Sequence, residues 1–521
     1  MSKRFYLTTA IDYVNGQPHL GHGYEKVVAD VIARARRSLG EEVFFLTGLD
    51  EHGQKVQQAA EKEGKNPQVY CDELAISFKS FATRLNLTID DFIRTTEPRH
   101  KEVVQAILSK LHREGHFYQA SREGFYSAKE ETFVTEKERL PDGSFPPHYG
   151  EVVKLSESNW YFKLGEQQQW LIDHLEANPS FIQPDYRRNE VLGFLKNNTL
   201  EDLCITRPAA RLNWGIPVPF DPTFVTYVWF DALVNYISVP AALGDPVLRA
   251  AIGPDFSYLI PHKSSLLVWP ADIHVIGKDI LKFHAVYWPI MLKAMGLALP
   301  KQLLVHGWWQ KDGAKISKST GNVVDPLTVI DEWGVDAFRF YVVRELAIGP
   351  DGNWTDAGFA ARYQAELANG LGNLVNRSLS MLKRYRGGII PARSDELSAE
   401  AGKVTQETVA HLLGNELQGA LQSIWSLVNR ANQYVDQMAP FKLAKDPAQA
   451  ARLDEVLYNL CESCRILAVL LWPFIPTTAE KIYAQLGLSG SPASLAAADW
   501  GGLRAGDSIG EPAPLFPRKD Q

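Results

Sequence analysis

The first 64 residues pass twice from strand-like to helix-like patterning, and this constrains the fold more than any other feature of the 521-residue chain. "RFYLTTAID" has strand-like content, and from Leu20 to Leu39 the apolar residues Val27, Val28, Val31, Ile32 and Ala35 recur at helical spacing. "EVFFLTGLD" is a second strand and "EHGQKVQQAAEKEG" a second helical run. Strand, helix, strand, helix predicts a parallel sheet with crossover helices, whose ligands sit beyond the carboxyl ends of the strands. "NGQPHLGHG", Asn15 to Gly23, falls at the first such end; Thr47, Gly48 and Asp50 fall at the second.

From about Phe117 to Asn213 the alternation is lost, and short strand-like pieces mix with turns such as "LPDGSFPPHYG". Strand and helix resume at "FVTYVWFDALVNYI" and "ADIHVIGKDILKFHAVYWPIMLKAMG", so the expected fold is a doubly wound α/β sheet split by an inserted α+β module. We divide the chain into a first half of the sheet domain (1–117), an insertion (118–213), the second half (214–297), a loop-bearing segment (298–354), an all-α bundle (355–500) and a tail (501–521). The bundle follows from long amphipathic runs with few strand signals after Asp356.

A hydrophobic fraction of 45%, a charged fraction of 22% and 30 dispersed prolines are those of globular domains, which excludes disordered and fibrous classes. The net charge of −7 excludes a protein coated in basic residues but leaves room for a local basic face. Cys71, Cys204, Cys461 and Cys464 make no disulfide framework, and the N-terminus lacks an apolar signal run, so a cytoplasmic location is expected. The longest apolar stretch, Ile466 to Ile475, is far short of the roughly 20 residues that span a bilayer.

His19 and His22 lie where loop gives way to helix, one turn apart at a helix N-terminus, where unsatisfied N–H groups and the dipole attract anions. A metal pair and a core-facing pair remain alternatives on these residues alone. The second signal is "KDGAKISKSTGNVVDP", in which Lys311, Lys315 and Lys318 interleave with Ser317, Ser319 and Thr320 between Gly313 and Gly321. Such a loop offers movable charges and hydroxyls to a polyphosphate, whereas a lone basic loop is usually a solvated turn.

Together, "HLGH" and "KISKS" resemble the "HIGH" and "KMSKS" signatures of class I aminoacyl-tRNA synthetases, in the right order. "TTAIDYVNGQPHLGH", "FFLTGLDEHGQKV", "NWGIPVP", "YVWFDALVNYI", "VIGKDILKFHAVYWP" and "KISKSTGNVVDP" narrow the resemblance to the methionyl-tRNA synthetase family over nearly the whole chain. Isoleucyl, valyl and leucyl relatives share both signatures but carry a much longer editing insertion, and a cysteinyl enzyme would need zinc-binding cysteines at its pocket.

The resemblance implies site residues. His19, His22, Lys315 and Lys318 would be catalytic; ATP would meet His19, Gly21, His22, Gly277, Asp279, Lys315, Ser317 and Lys318. Methionine would sit among Ile11, Tyr13, Trp229, Ala232, Leu233, Tyr236, Ile280 and His284, with Asp50 on its α-ammonium; Asp50 also reads as a helix N-cap. Asn373, Arg377 and Phe441 would read the anticodon, with Phe441 standing where the family has tryptophan. No acidic residue lies between Glu366 and Asp395, while Arg377, Lys383, Arg384, Arg386 and Arg393 do, which reads as a basic face for RNA.

Relatives often hold zinc in the insertion through Cys-x-x-Cys knuckles; here that stretch has only Cys204, so no structural zinc and no protein-held metal are expected. Cys461 and Cys464, in an apolar helical run, read as packed thiols. The activity implied is methionine–tRNA ligation: ATP with Mg²⁺ activates L-methionine, which passes to the 3′-terminal adenosine of tRNA(Met), initiator tRNA included. Alternatives are a class I synthetase for another apolar amino acid, a related nucleotidyltransferase without tRNA, and a non-catalytic tRNA-binding relative. No appended dimerisation module is visible after residue 500, so a monomer is expected.

Overall fold

The computed structural model describes residues 3–127, 132–134, 136–253, 269–315 and 324–519. Its main sheet has seven strands. Arg4–Thr9 is central, flanked by Glu42–Asp50 on one side and Ile273–Gly277 on the other. Asp91–Arg94 lies outside Glu42–Asp50, and Leu303–His306 outside Ile273–Gly277, with every pairing parallel. The two-residue strand Asp12–Tyr13 continues the central position against Leu49 and Asp50. Strands covered on both faces need unbroken apolar runs, and Phe45, Leu46 and Leu7 are fully buried. Gly48 is required by close approach: a Cβ there would lie 2.0 Å from the Ile93 carbonyl oxygen.

The helix Leu20–Ser38 crosses from the first strand to the second and is buried almost all round. Its charged residues Glu25, Lys26, Asp30 and Arg34 are buried too, against the amphipathic pattern of a surface helix, because each is paired. Arg339, fully buried, reaches Asp30 at 2.7 Å and donates to the carbonyls of Leu85, Pro473 and Phe474. One guanidinium thus ties this helix to the bundle.

Residues 118–213 do not stand apart from the sheet. Phe117–Ser127, Thr132–Val134, Val152–Phe162 and Leu203–Cys204 form their own antiparallel sheet. Ile182–Gln183, however, adds a parallel outer strand beside Leu303–Leu304 of the main sheet. Two residues carry no periodicity, so sequence pattern could not reveal this pairing.

A hairpin, Trp309–Lys311 with Ala314–Lys315, turns on Asp312 and Gly313, both at positive φ (51° and 76°), the geometry of a two-residue type I′ turn. Residues 316–323 follow directly, so Ser317 and Lys318 lie outside the described residues. In the helical third, Ala450–Leu471 is the buried central helix and holds Cys461 and Cys464 at 0% exposure. The tail folds back on it: the buried Glu462 carboxylate accepts from the backbone N–H groups of Gly501, Gly502 and Leu503. No helix among the described residues is long and apolar enough to cross a membrane.

Candidate active site

The histidine signature forms the start of the helix itself. His19 is the N-cap: its Nδ1 accepts from the Gly21 backbone N–H at 3.1 Å, and His22 Nδ1 accepts from the His19 N–H at 3.2 Å. The rings stack at 3.8 Å between centroids, with Phe78 edge-on to His22. A Cβ on Gly21 would press on the His19 ring at 3.1 Å. A neutral imidazole that accepts at Nδ1 carries its proton at Nε2, so this capping box holds both rings as Nε2–H donors. Two neutral donors at a helix N-terminus fit an anion.

Asp50, 5% exposed, ends its strand in register with Tyr13. It is not a helix cap: the next helix starts at Gln54 with Gly53 as N-cap. Trp229, on the short helix Val228–Leu233, lies face to face with Phe283 at 3.6 Å and 6°. Ile11, Ile280 and Phe283 pack on the apolar cluster that contains Leu233 and Tyr236, and Ala232 is buried beside them in sequence. His284 Nδ1 bonds the Ile280 carbonyl at 2.9 Å, which leaves Nε2 to accept from the Tyr236 hydroxyl at 2.7 Å. Burial pushes this imidazole down to about 4, so it is neutral at pH 7 and the Tyr236 proton points at it. Phe283, half of the ring stack, escaped the sequence reading; its neighbour His284 was the available signal.

Two buried polar clusters also escaped it. Asp231, beside Trp229 on the same helix, has one carboxylate oxygen 2.6 Å from His52 Nδ1 and the other 2.6 Å from His100 Nε2. Burial alone would raise this carboxyl, but the two histidines outweigh it and hold Asp231 at about 2. The cluster binds the end of the Asp50 strand, two residues before His52, to the helix that bears Trp229, Ala232 and Leu233. On the helix that His19 caps, Lys26 bonds Asp12 at 2.9 Å and Glu25 at 2.8 Å, and Glu25 bonds His306 at 3.1 Å. Burial works against charge on His306, yet the Glu25 carboxylate raises its ring above the ordinary range. Tyr24 sits edge-on to His306 and Trp309, so the histidine-bearing helix and the base of the lysine hairpin are packed together.

Gly277 ends its strand opposite His306, and the exposed Asp279 follows; its carboxylate accepts from Trp308 Nε1 at 3.1 Å. A Cβ on Gly277 would lie 2.6 Å from that carboxylate. Lys315 ends the hairpin, next to the segment that holds Ser317 and Lys318. The structure therefore gathers the ends of three strands, the helix N-terminus and the hairpin on one side of the sheet. Among the described residues no group of three or more His, Cys, Asp or Glu is placed to hold a metal ion.

In the helical third, Asn373 and Arg377 occupy one face of the helix Asn373–Arg386, and Arg377 reaches Asp436 at 3.2 Å. Asp436 is in the last turn of Leu417–Met438, and Phe441 follows at 44% exposure after the left-handed Ala439. The basic face expected from sequence is largely neutralised. Arg377, Lys383, Arg386 and Arg393 pair with Asp436, Glu511, Asp454 and Asp395, all but the last remote in sequence; only Arg384 lies against a ring, that of Tyr385.

The chain also resembles known proteins over its full length. Residues 5–146 and 148–379 match the family model of class I (M) tRNA synthetases, and residues 386–520 that of the anticodon binding domain of methionyl tRNA ligase. The chain is 41% identical over 529 residues to a methionine–tRNA ligase of Rickettsia felis, covering 99% of each. It is 40% identical to that of Caldanaerobacter subterraneus, covering 100% of this chain and 80% of the relative. A solved Mycobacterium tuberculosis methionyl-tRNA synthetase in complex with methionyl-adenylate superposes with a TM-score of 0.89 at 36% identity, over 99% of this chain and 100% of that one. A chain with two histidines capping a helix start, a stacked pair of rings and a buried aspartate at the ends of one sheet, and these likenesses over its full length belongs to the methionyl-tRNA synthetase family of class I.

Proposed function

We propose that the chain activates L-methionine with ATP and transfers it to tRNA(Met), initiator tRNA included, acting as a monomer in the cytoplasm. The observation that carries this reading is the pairing of neutral Nε2–H donors His19 and His22 with the stacked Trp229–Phe283 wall across the carboxyl ends of one sheet. Methionine's thioether is apolar and polarizable, so it suits rings and the Tyr236–His284 pair, which is already satisfied internally and needs no water. Asp50 takes the α-ammonium. A like-sized polar side chain would find no partner there, which disfavours it.

In the first step a methionine carboxylate oxygen attacks the α-phosphorus of ATP. A P–O bond forms, the bond to the β-phosphate breaks, and pyrophosphate leaves with the electron pair. His19, His22 and the helix N-terminus stabilise charge developing on the phosphates; Lys315 and Lys318 act on the leaving pyrophosphate; Gly277 and Asp279 hold the nucleoside side. Mg²⁺ bound to ATP would supply charge neutralisation on the phosphates. In the second step a ribose hydroxyl of the terminal adenosine attacks the adenylate's carbonyl carbon, AMP leaves, and the hydroxyl proton is released. Asn373, Arg377 and Phe441 read the anticodon. No structural zinc takes part.

Amino-acid-dependent ATP–pyrophosphate exchange tests the first step. Methionine should support exchange far better than leucine, isoleucine or cysteine; equal rates with another of these would sink the assignment of the pocket. Charging of tRNA(Met) tests the second step.

A further inference from the structure

Four buried charged side chains outside the reaction scheme form one chain of contacts. Lys26, 5% exposed, has three ammonium hydrogens and meets three acceptors: the Ala10 carbonyl at 2.9 Å, Asp12 Oδ1 at 2.9 Å and Glu25 Oε1 at 2.8 Å. The other Glu25 oxygen lies 3.1 Å from His306 Nε2, and Nδ1 of that ring donates to the Gly307 carbonyl at 2.7 Å. Both ring nitrogens face acceptors, so His306 is held as the cation and two carboxylates are balanced by two positive charges.

An ion cluster of this kind is a poor source of stability, because attraction between buried charges barely offsets their desolvation, and apolar side chains of similar size would hold the helix to the sheet as well. What apolar packing lacks is direction. The Lys26 ammonium fixes two points, two residues apart, on the stretch from Ala10 to Tyr13, and Ala10 is held from the other side as well, its N–H donating to the Val275 carbonyl at 3.0 Å. On that stretch stand Ile11, packed on the apolar cluster, and Tyr13, in register with Asp50. Lys26 itself is one turn beyond His22 on the helix that His19 caps.

We propose that Lys26 is a positioning residue for methionine: through the Ala10 carbonyl and Asp12 it sets Ile11 and Tyr13 in place for the amino acid. It does so from the same helix that presents His19 and His22, so the amino acid and the phosphates are placed on one frame. Glu25 and His306 complete the charge balance that lets Lys26 stay ionised while buried. This assignment rests on the proposed reading that Ile11 and Tyr13 line the methionine pocket.

The test uses the full chain carrying Lys26→Met together with Asp12→Ala. This pair of changes removes one cation and one anion and leaves Glu25 with His306, so no charge is stranded in the interior. In methionine-dependent ATP–pyrophosphate exchange the KM for methionine should rise roughly tenfold, the scale of a modest misplacement of binding groups, while the KM for ATP stays, since the histidine cap is untouched. Calorimetric binding of methionine without ATP should weaken by the same factor. Asp12→Ala alone, which keeps the tether to the Ala10 carbonyl, should move the methionine KM in the same direction by less, and it decides the question should the double variant fail to fold. A folded variant with the wild-type methionine KM, one in which both KM values rise together, or one altered only in kcat overturns the positioning role. A wild type without methionine-dependent exchange overturns the earlier reading instead.

Discussion

Replacing Asp231 by asparagine removes the charge at the centre of the buried His52–Asp231–His100 cluster while keeping its shape. Both carboxylate oxygens lie 2.6 Å from an imidazole nitrogen. The substituted amide could accept from one ring through its oxygen, but its N–H groups would face the other, leaving a buried donor opposed by a donor. Hydrogen bonds to a buried charge are worth about 1.5–3 kcal/mol each, so losing one and opposing another costs roughly 2–4 kcal/mol. The pH side gives a similar figure. The folded carboxyl sits at about 2 against an ordinary 3.8, and a difference of roughly two units is about 2–3 kcal/mol. Because the folded value is depressed, this stability is fully present above pH 4 and is lost as the pH falls through 2. Asp231→Asn should therefore lower the melting temperature at pH 7 by on the order of 5 °C, and the gap from wild type should close in acid. Since the helix with Trp229 is moored through Asp231, the KM for methionine should rise while that for ATP stays. A variant with unchanged melting and unchanged methionine KM would refute the mooring.

Trp229→Ala should raise the KM for methionine about tenfold, since the ring's stack with Phe283 and its proposed contact with the thioether would both be lost; unchanged KM in a folded variant would mean that Trp229 is no part of the pocket. Phe441→Ala should weaken charging of tRNA by about 1–3 kcal/mol and leave exchange alone, as expected for an exposed ring that stacks on a base; equal loss in both assays would make it a structural residue. His22→Ala should slow exchange while also removing an acceptor from the His19 N–H, so His22→Asn, which can restore that acceptor, should recover folding more than rate; equal rescue of both would deny the ring a role in catalysis. Elemental analysis of the purified chain should find no stoichiometric zinc, because the insertion holds one cysteine and the pair Cys461 and Cys464 is sealed inside a helix bundle; one tightly bound zinc per chain would contradict this.

Local sequence determined what depends on neighbours in the chain. The strand at Glu42–Asp50 and the helix at Leu20–Ser38 follow from hydrophobic period, and the histidine capping box from residues three apart. The two signatures that carry the family resemblance were legible for the same reason: each is a contiguous run of residues. What lay beyond the sequence is what depends on pairing across long separations. Asp231 finds His52 and His100, Glu25 finds His306 281 residues away, and Arg339 finds Asp30. On a sequence these read as solvated charges, because burial of an ion is decided only by whether a distant partner offsets its desolvation. The same reason reversed the reading of the bundle. A run of five cations without an acid looked like a bare basic face, yet Glu511, Asp454 and Asp436, placed by the fold, neutralise three of them. Charge along a chain is a local property; charge on a surface belongs to the tertiary structure.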